Sequence, residues 1–236
     1  MGNTKSRWQS VKDYIGEVKR VELGNFFSYQ MVNNPRWILH TFARYKFASK
    51  LIGQSPLLDI LDLGCNEGYG TLLLTEYGHK VTAIDSDTDA IMWARSNLGE
   101  NVNFICEDFL DKCYGKFDAV VSLDVIEHIE DDRKYFETVV SNLKKDGFCI
   151  IGTPNETAKP YASKIGQLGH VNLFSAERLR DTTRRYFKNV FLFGMNDEVV
   201  HTGFYPMCNY LFVLGITPRK DKSIVEEKKW VRNDRK

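Results

Sequence analysis

From Leu58 onward the chain alternates short apolar runs with amphipathic segments, the pattern of a parallel sheet whose crossovers are helices. The runs LLDILDL, KVTAID, NVNFIC, FDAVVSL and FCIIGT predict five strands, and NVFLFGM and NYLFVLGIT add two near the C-terminus. Helices are predicted between them. TLLLTEYG ends on Gly78, and DTDAIMWARSNLG begins with acids and ends on Gly99. DRKYFETVVSNLKKDG sets Tyr135, Phe136, Val139, Val140 and Leu143 on one face and stops at Gly147, while SAERLRDTTRRYF starts from a Ser175 cap. Upstream, WILHTFARYKFASKLIG spaces its aromatic and aliphatic residues helically and predicts a cap over the sheet. Residues 153–171, rich in Gly, Ser and Lys, form a connection long enough to act as a lid. The predicted fold is α/β: a doubly wound, mostly parallel, seven-stranded sheet over residues 56–218, a helical cap over 1–55 and a charged tail over 219–236.

Composition narrows this picture. A chain of 236 residues with 43% hydrophobic and 27% charged content can bury a core without disulfides or structural metal. The 32 basic and 31 acidic residues leave a net charge of +1, which argues against a broad nucleic-acid surface. Cys65, Cys106, Cys113, Cys149 and Cys208 are odd in number and include no C-x-x-C pair, so they read as reduced thiols of a cytoplasmic protein. No run approaches the ~18 apolar residues of a membrane span, and the N-terminus lacks a signal-peptide core. MGNTKS fits the myristoylation pattern, one that six residues often meet by chance.

ILDLGCNEGYG joins the first strand to a helix through a glycine-bearing turn, the place where an open α/β sheet binds a nucleotide. Gly64, Gly68 and Gly70 are present, but Asn66 stands where a dinucleotide fingerprint has its second glycine. Asn tolerates positive φ, so the turn survives while close approach to a ligand comes into question. Asp62 is unfavourable beside a pyrophosphate and favourable beside a cationic ligand. Asp85 follows Gly64 by about 21 residues, the spacing at which a carboxylate reaches ribose hydroxyls. Asp108, after the third strand, is placed to receive an adenine amino group while Phe109 packs the ring.

With these elements in order, the sequence resembles the class I S-adenosylmethionine-dependent methyltransferases from about Leu58 to Thr217. DLGCNEGYG, VTAIDSD, CEDF and FDAVVSLDVIEHI are similar to that family's successive motifs. The resemblance implies S-adenosylmethionine as cofactor and S-adenosylhomocysteine as product. It sets Asp62 and Gly64 against the methionine part, Asp85 at the ribose and Asp108 with Phe109 at the adenine, and it counts Asn66, Gly68, Ser86 and Leu123 among the cofactor-binding residues. RYKFA resembles a segment of bacterial relatives in which Arg44 and Tyr45 would close over the cofactor, Arg44 facing the methionine carboxylate.

SLDVIEHIED then lies beside the reactive methyl. A helical turn there would put Asp124, Glu127 and His128 on one arc at i, i+3 and i+4. The ordinary reading is a capping Asp124 and a His128 bonded to backbone. The family resemblance adds another, because similar E-x-x-E-H segments occur in ubiquinone-pathway O-methyltransferases and small-RNA 2′-O-methyltransferases. By that resemblance Asp124, Glu127, His128 and the later His170 would hold a divalent cation, Mg²⁺, Mn²⁺ or Zn²⁺. Without a cation, His128 and His170 are candidate general bases. His40, His79 and His201 have no such context.

The expected activity is methyl transfer to oxygen on a small polar acceptor, such as a nucleotide-linked sugar or phosphorylated metabolite for cell-surface polysaccharide synthesis. GHVNLFSAERL and YFKNVFLFG resemble parts of bacterial enzymes of that kind, and Arg36, Lys159 and Lys164 would serve an anionic acceptor. The alternatives are a quinone-type aromatic acceptor, favoured if Phe26, Phe27, Tyr29 and Trp37 line the pocket; RNA 2′-O-methylation; and an inactive cofactor-binding scaffold permitted by Asn66. A homodimer is compatible with all of these.

Overall fold

A computed structural model of the protein describes residues 4–16, 22–54 and 56–219. The myristoylation glycine and the charged tail after residue 219 lie outside them. Three helices come first: α1 (Thr4–Ile15), α2 (Asn25–Asn33) and α3 (Pro35–Ile52). There follow β1 (Asp59–Leu63), α4 (Thr71–Leu74), β2 (Lys80–Asp85), α5 (Thr88–Leu98), β3 (Val102–Cys106), β4 (Phe117–Leu123), α6 (Asp132–Ser141) and β5 (Leu143–Pro154). The chain ends with α7 (Lys164–Gly169), α8 (Ala176–Tyr186), β6 (Phe187–Asn196), β7 (Val199–His201) and β8 (Tyr210–Pro218). No helix among the described residues is long and apolar enough to cross a membrane.

The strands form one sheet in the order β3-β2-β1-β4-β5-β8-β6-β7. Pairings from β3 through β5 are parallel, whereas β8 inserts antiparallel between β5 and β6. The sheet has eight strands, not the predicted seven. The addition is β7, three residues that fold back on Gly194–Asn196 through a turn at Asp197, whose φ is 50°. So short a strand has no periodicity of its own to read.

Alternation along the strands divides the core in two. Leu61, Val120, Ile151 and Val213 face Tyr135, Phe136 and Leu179 of α6 and α8. Their neighbours Ile60, Val121, Ile150 and Phe212 face Tyr45, Ala48, Leu74 and Ile91 of α3, α4 and α5. Strands buried on both sides read as continuous apolar runs, which is why they stand out in the sequence.

Helix boundaries follow their caps where a cap is present. Asp87 accepts the amides of Asp89 and Ala90 at the start of α5, and Ser175 accepts that of Arg178 at the start of α8. Two predicted ends are corrected. The helix after Asp131 stops at Ser141 rather than Gly147 because Asn142, fully buried, turns its amide back to the Thr138 and Lys112 carbonyls and accepts the Tyr114 N–H. Residues 143–147 instead begin β5, which continues past a register shift between Phe117 and Ala119 of β4. The helix predicted to reach Gly78 is the single turn α4, and Gly78, with φ 82°, belongs to the turn before β2.

One charge lies inside this core. Asp62 of β1 is fully buried on the α3 and α4 side, where it accepts hydrogen bonds from Tyr45 Oη (3.2 Å to each oxygen) and Thr71 Oγ1 (2.6 Å). Burial raises its carboxyl from the ordinary 3.8 to about 7, against the lowering effect of the two hydroxyls. A carboxyl raised on folding stabilises the protonated folded state, so this contribution is present below about pH 4 and is lost as pH rises through about 7. We expect Asp62→Asn, which cannot ionise, to remove that dependence: the melting temperature of wild type relative to the variant falls by a few degrees between pH 5 and pH 8. Parallel melting curves across that range would mean that Asp62 does not titrate there.

Candidate active site

The order of strands reverses between β1 and β4, and a parallel sheet opens a crevice at the C-terminal ends of the strands flanking such a point. A cavity of about 1450 Å³ lies there, bordered by the turns after β1 to β4, by α2 and α3, and by residues 154–170. The predicted lid is built of a 3-10 turn, Glu156–Tyr161, and helix α7, and it forms one wall. Asn155 anchors its base by donating to the Tyr205 and Cys208 carbonyls, both at 2.9 Å.

The turn leaving β1 is tightly determined. Gly64 has φ 80°, and a side chain there would collide with Val125, so both conformation and space call for glycine. The amides of Gly64 and Cys65 both donate to the Ile84 carbonyl. Asn66 adopts φ 50°, donates its N–H to Asp85 Oδ2 at 2.7 Å and accepts the Glu67 amide on its side-chain oxygen at 2.7 Å. The departure from glycine at Asn66 therefore leaves the turn intact. Asp85 Oδ1 accepts the Asp87 amide at 2.9 Å, which orients the carboxylate toward the turn. Gly64, Asn66, Gly68, Asp85, Ser86, Asp108, Phe109 and Leu123 all line the cavity. Asp108 also accepts the Leu110 amide at 3.0 Å, and the Phe109 ring packs edge-on to Tyr135.

Asp62, expected against the methionine part, does not line the cavity; Tyr45 and Thr71 enclose it beneath the turn, where it supports the loop from below. Tyr45 borders the cavity but is almost fully buried, its hydroxyl engaged by Asp62 and its ring against Gly70, so it braces the floor of the cavity.

At the end of β4 the predicted helical arc does not form. Asp124 takes φ 59° directly after Leu123, and the only helical turn is the 3-10 segment Ile126–His128. This diverts Asp124 from the other two residues. Arg44 Nη1 donates to both Asp124 oxygens at 2.8 Å, and the guanidinium stacks 3.8 Å over the Tyr210 ring. Burial opposes the Arg44 charge, but Asp124 and Tyr210 outweigh it and hold the guanidinium firmly protonated. In this arrangement the partner of Arg44 is Asp124.

Glu127, His128 and His170 do converge, with one ligand atom of each within 4.8 Å of the others. The predicted four-residue cation set is thus reduced to three. His128 Nδ1 donates to the Gly169 carbonyl at 2.8 Å, so Nε2 carries the lone pair. The two imidazole rings lie 5.1 Å apart, edge to face. Burial, and then the neighbouring His128, lower the pKa of His170, which favours its neutral form. Glu127 is fully buried: Oε2 accepts from Thr153 Oγ1 at 3.0 Å, while Oε1 has no hydrogen-bond partner. Burial, followed by the Asp124 charge, raises its carboxyl well above the usual range. One orphaned carboxylate oxygen and two imidazole nitrogens form a donor set that a divalent cation fits.

Sequence reasoning did not find Tyr210 or Thr153, because nothing in NYLFVLGIT or FCIIGT marks a contact with residues so distant along the chain. Glu67 was legible only as an acid in a glycine turn. Phe26, Tyr29 and Trp37 line the cavity, as do Arg36, Lys159, Tyr161 and Lys164, whereas Phe27 is buried against Tyr69. His79 bonds the Gly53 carbonyl and Leu58 amide, a packing role. His40 borders the cavity but pairs with Asp197 at 3.0 Å.

Residues 61–151 match the model of a methyltransferase domain. The chain is 36% identical over 112 residues to a ubiquinone biosynthesis O-methyltransferase of Rickettsia felis, covering 46% of each protein. It is 35% identical over 112 residues to the enzyme of that name from Glaesserella parasuis, covering 43% of this chain and 48% of that one. The chain thus spans about half the length of these curated relatives. Among solved structures, the plantazolicin methyltransferase BpumL with S-adenosylhomocysteine superposes with a TM-score of 0.62 at 17% identity, covering 81% of this chain and 88% of that one. The N-methyltransferase NodS of Bradyrhizobium japonicum, also with S-adenosylhomocysteine, gives 0.55 at 18% identity, covering 81% and 92%. By its motif-bearing turns, its strand order and these matches, the chain carries a methyltransferase domain over residues 61–151, set in the fold of the S-adenosylmethionine-dependent class I enzymes.

Proposed function

We propose that this protein transfers the methyl group of S-adenosylmethionine to a hydroxyl oxygen on a small aromatic acceptor. The observation that carries this reading is the presence, in the lining of one cavity, of two imidazoles and of the aromatic side chains of Phe26, Tyr29, Trp37 and Tyr161. S-adenosylmethionine supplies a methyl on a positively charged sulfur. The turn after β1, Asp85 and Asp108 offer it backbone and carboxylate contacts, and the aromatic residues of the same cavity offer rings on which a flat acceptor can stack. A hydroxyl is a poor nucleophile until its proton is removed, and with no cation on it His128 Nε2, whose tautomer is set by the Gly169 carbonyl, is suited to take it; with a cation bound, that nitrogen is a ligand and the cation acidifies the hydroxyl instead. In the balanced step the acceptor O–H and sulfur–methyl bonds break, the oxygen–methyl bond forms and the imidazole gains the proton.

Glu127, His128 and His170 would hold a divalent cation, which when bound supplies positive charge that acidifies a hydroxyl. The unpaired Glu127 Oε1 supports its presence. The relatives named for ubiquinone biosynthesis O-methylation support a ring-hydroxyl acceptor, and they offer no support for the sugar and polysaccharide reading. A phosphorylated or nucleotide-linked acceptor retains one observation in its favour, since Arg36, Lys159 and Lys164 line the same cavity.

His128→Ala and His170→Ala should each lower kcat by about 100-fold or more while calorimetry shows S-adenosylhomocysteine binding unchanged. Equal loss of binding would assign these histidines to the cofactor side. Dialysis against a chelator should abolish turnover, with recovery on adding one of Mg²⁺, Mn²⁺ or Zn²⁺; full activity after chelation would leave the histidines as bases alone. Trp37→Ala should raise KM for a ring-hydroxyl acceptor roughly tenfold with little change in kcat, as expected for loss of a stacking surface. No such effect, together with a raised KM for phosphorylated acceptors in Lys159→Ala, would favour the anionic reading.

A further inference from the structure

Glu67 lies in the middle of the turn after β1, between Asn66 and Gly68, yet its carboxylate is directed to the helical cap. It is 3% exposed and accepts two backbone amides from the first turn of α2: Phe26 N–H on Oε1 and Phe27 N–H on Oε2, both at 2.8 Å. The first amides of a helix have no partner within it, and α2 has no side-chain cap of its own, because the residue before it is Gly24. Glu67 therefore caps α2 from about 40 residues away, with its negative charge at the positive end of the helix.

Further features reinforce the attachment. A side chain on Gly24 would collide with the Glu67 carboxylate, so that glycine admits the latch. The Gly24 amide donates to Tyr69 Oη at 3.1 Å. The Phe27 ring packs 4.0 Å from Tyr69, which packs 4.8 Å from Trp93, whose indole donates to the Glu22 carbonyl at 2.8 Å. The chain thus approaches α2 along a strip built from the β1 turn and α5. The cavity is lined both by Asn66, Glu67, Gly68, Tyr69 and Gly70 of the turn and by Phe26, Tyr29, Gln30 and Asn33 of the adjoining α2.

We propose that Glu67 is a positioning residue that couples occupation of the β1 turn by the cofactor to the seating of α2 over the acceptor half of the cavity. The proposal rests on the cofactor reading above. A ligand held by Asn66 and Gly68 immobilises the two neighbours of Glu67, and Glu67 transmits that order to the α2 amides it caps. The α2 wall is then complete only after the cofactor is in place, so cofactor binds before acceptor.

The test is amide hydrogen exchange on the full chain with and without S-adenosylhomocysteine, in wild type, Glu67→Ala, Glu67→Gln and Gly24→Ala. In wild type, the ligand should slow exchange across residues 25–33 by about fivefold or more. Glu67→Ala should still bind S-adenosylhomocysteine but lose this protection, and Glu67→Gln, which keeps one acceptor oxygen, should restore part of it. Gly24→Ala displaces the carboxylate without altering the turn and should uncouple α2 in the same way, which keeps the test available if Glu67→Ala does not fold. Ligand-dependent protection of α2 that persists in Glu67→Ala or Gly24→Ala would overturn the proposal, as would wild-type binding without protection. Failure of wild type to bind S-adenosylhomocysteine would instead overturn the cofactor reading.

Discussion

The turn that leaves β1 at Gly64 is the constraint on which the rest of the site depends. Its positive φ and the nearness of Val125 admit only glycine, and two successive amides bond a single carbonyl of β2. Because that geometry is anchored to the neighbouring strand, Asn66 meets Asp85 and Glu67 is turned outward to the cap. Asp62 supports the same turn from below through Tyr45 and Thr71. One strand end therefore joins the sheet, the cofactor side of the cavity and the cap.

The end of β4 follows a different principle, the management of buried charge. Asp124, Glu127, Arg44 and the two histidines lie close together, and an unpaired charge there would be strongly disfavoured. The structure pairs Arg44 with Asp124 and stacks it on Tyr210, leaving Glu127 with one hydrogen bond and one free oxygen. Glu127 is thus the unresolved charge of the site. A proton or a cation can satisfy it.

These two ends meet across one cavity whose remaining walls come from the cap and from residues 154–170. Under the proposed reading, the cofactor is met by backbone turns and short acids fixed by strand geometry. The acceptor is met by aromatic and basic side chains on helices and on residues 154–170, which can vary without disturbing the sheet. This division explains how a likeness of 17% identity can preserve the fold while the acceptor must be argued from the residues of this chain.

The order of the parallel strands' motifs was legible in the sequence, because strands buried on both faces are apolar throughout and the turns between them need particular residues at fixed spacings. Gly64, Asp85 and His128 were placed at the strand ends that border the cavity in this way. Local signals also placed the helix start at Ser175, but they misplaced the end at Gly147, where the deciding contacts of Asn142 reach back to Lys112 and Tyr114. Tertiary structure alone decided that Arg44 faces Asp124, that Asp62 is enclosed beneath the turn and that Glu67 caps α2. Each of those pairings joins residues far apart in the chain, and a carboxylate's partner depends on which donors the folded sheet and cap bring within about 3 Å of it, a distance that no local pattern of residues encodes.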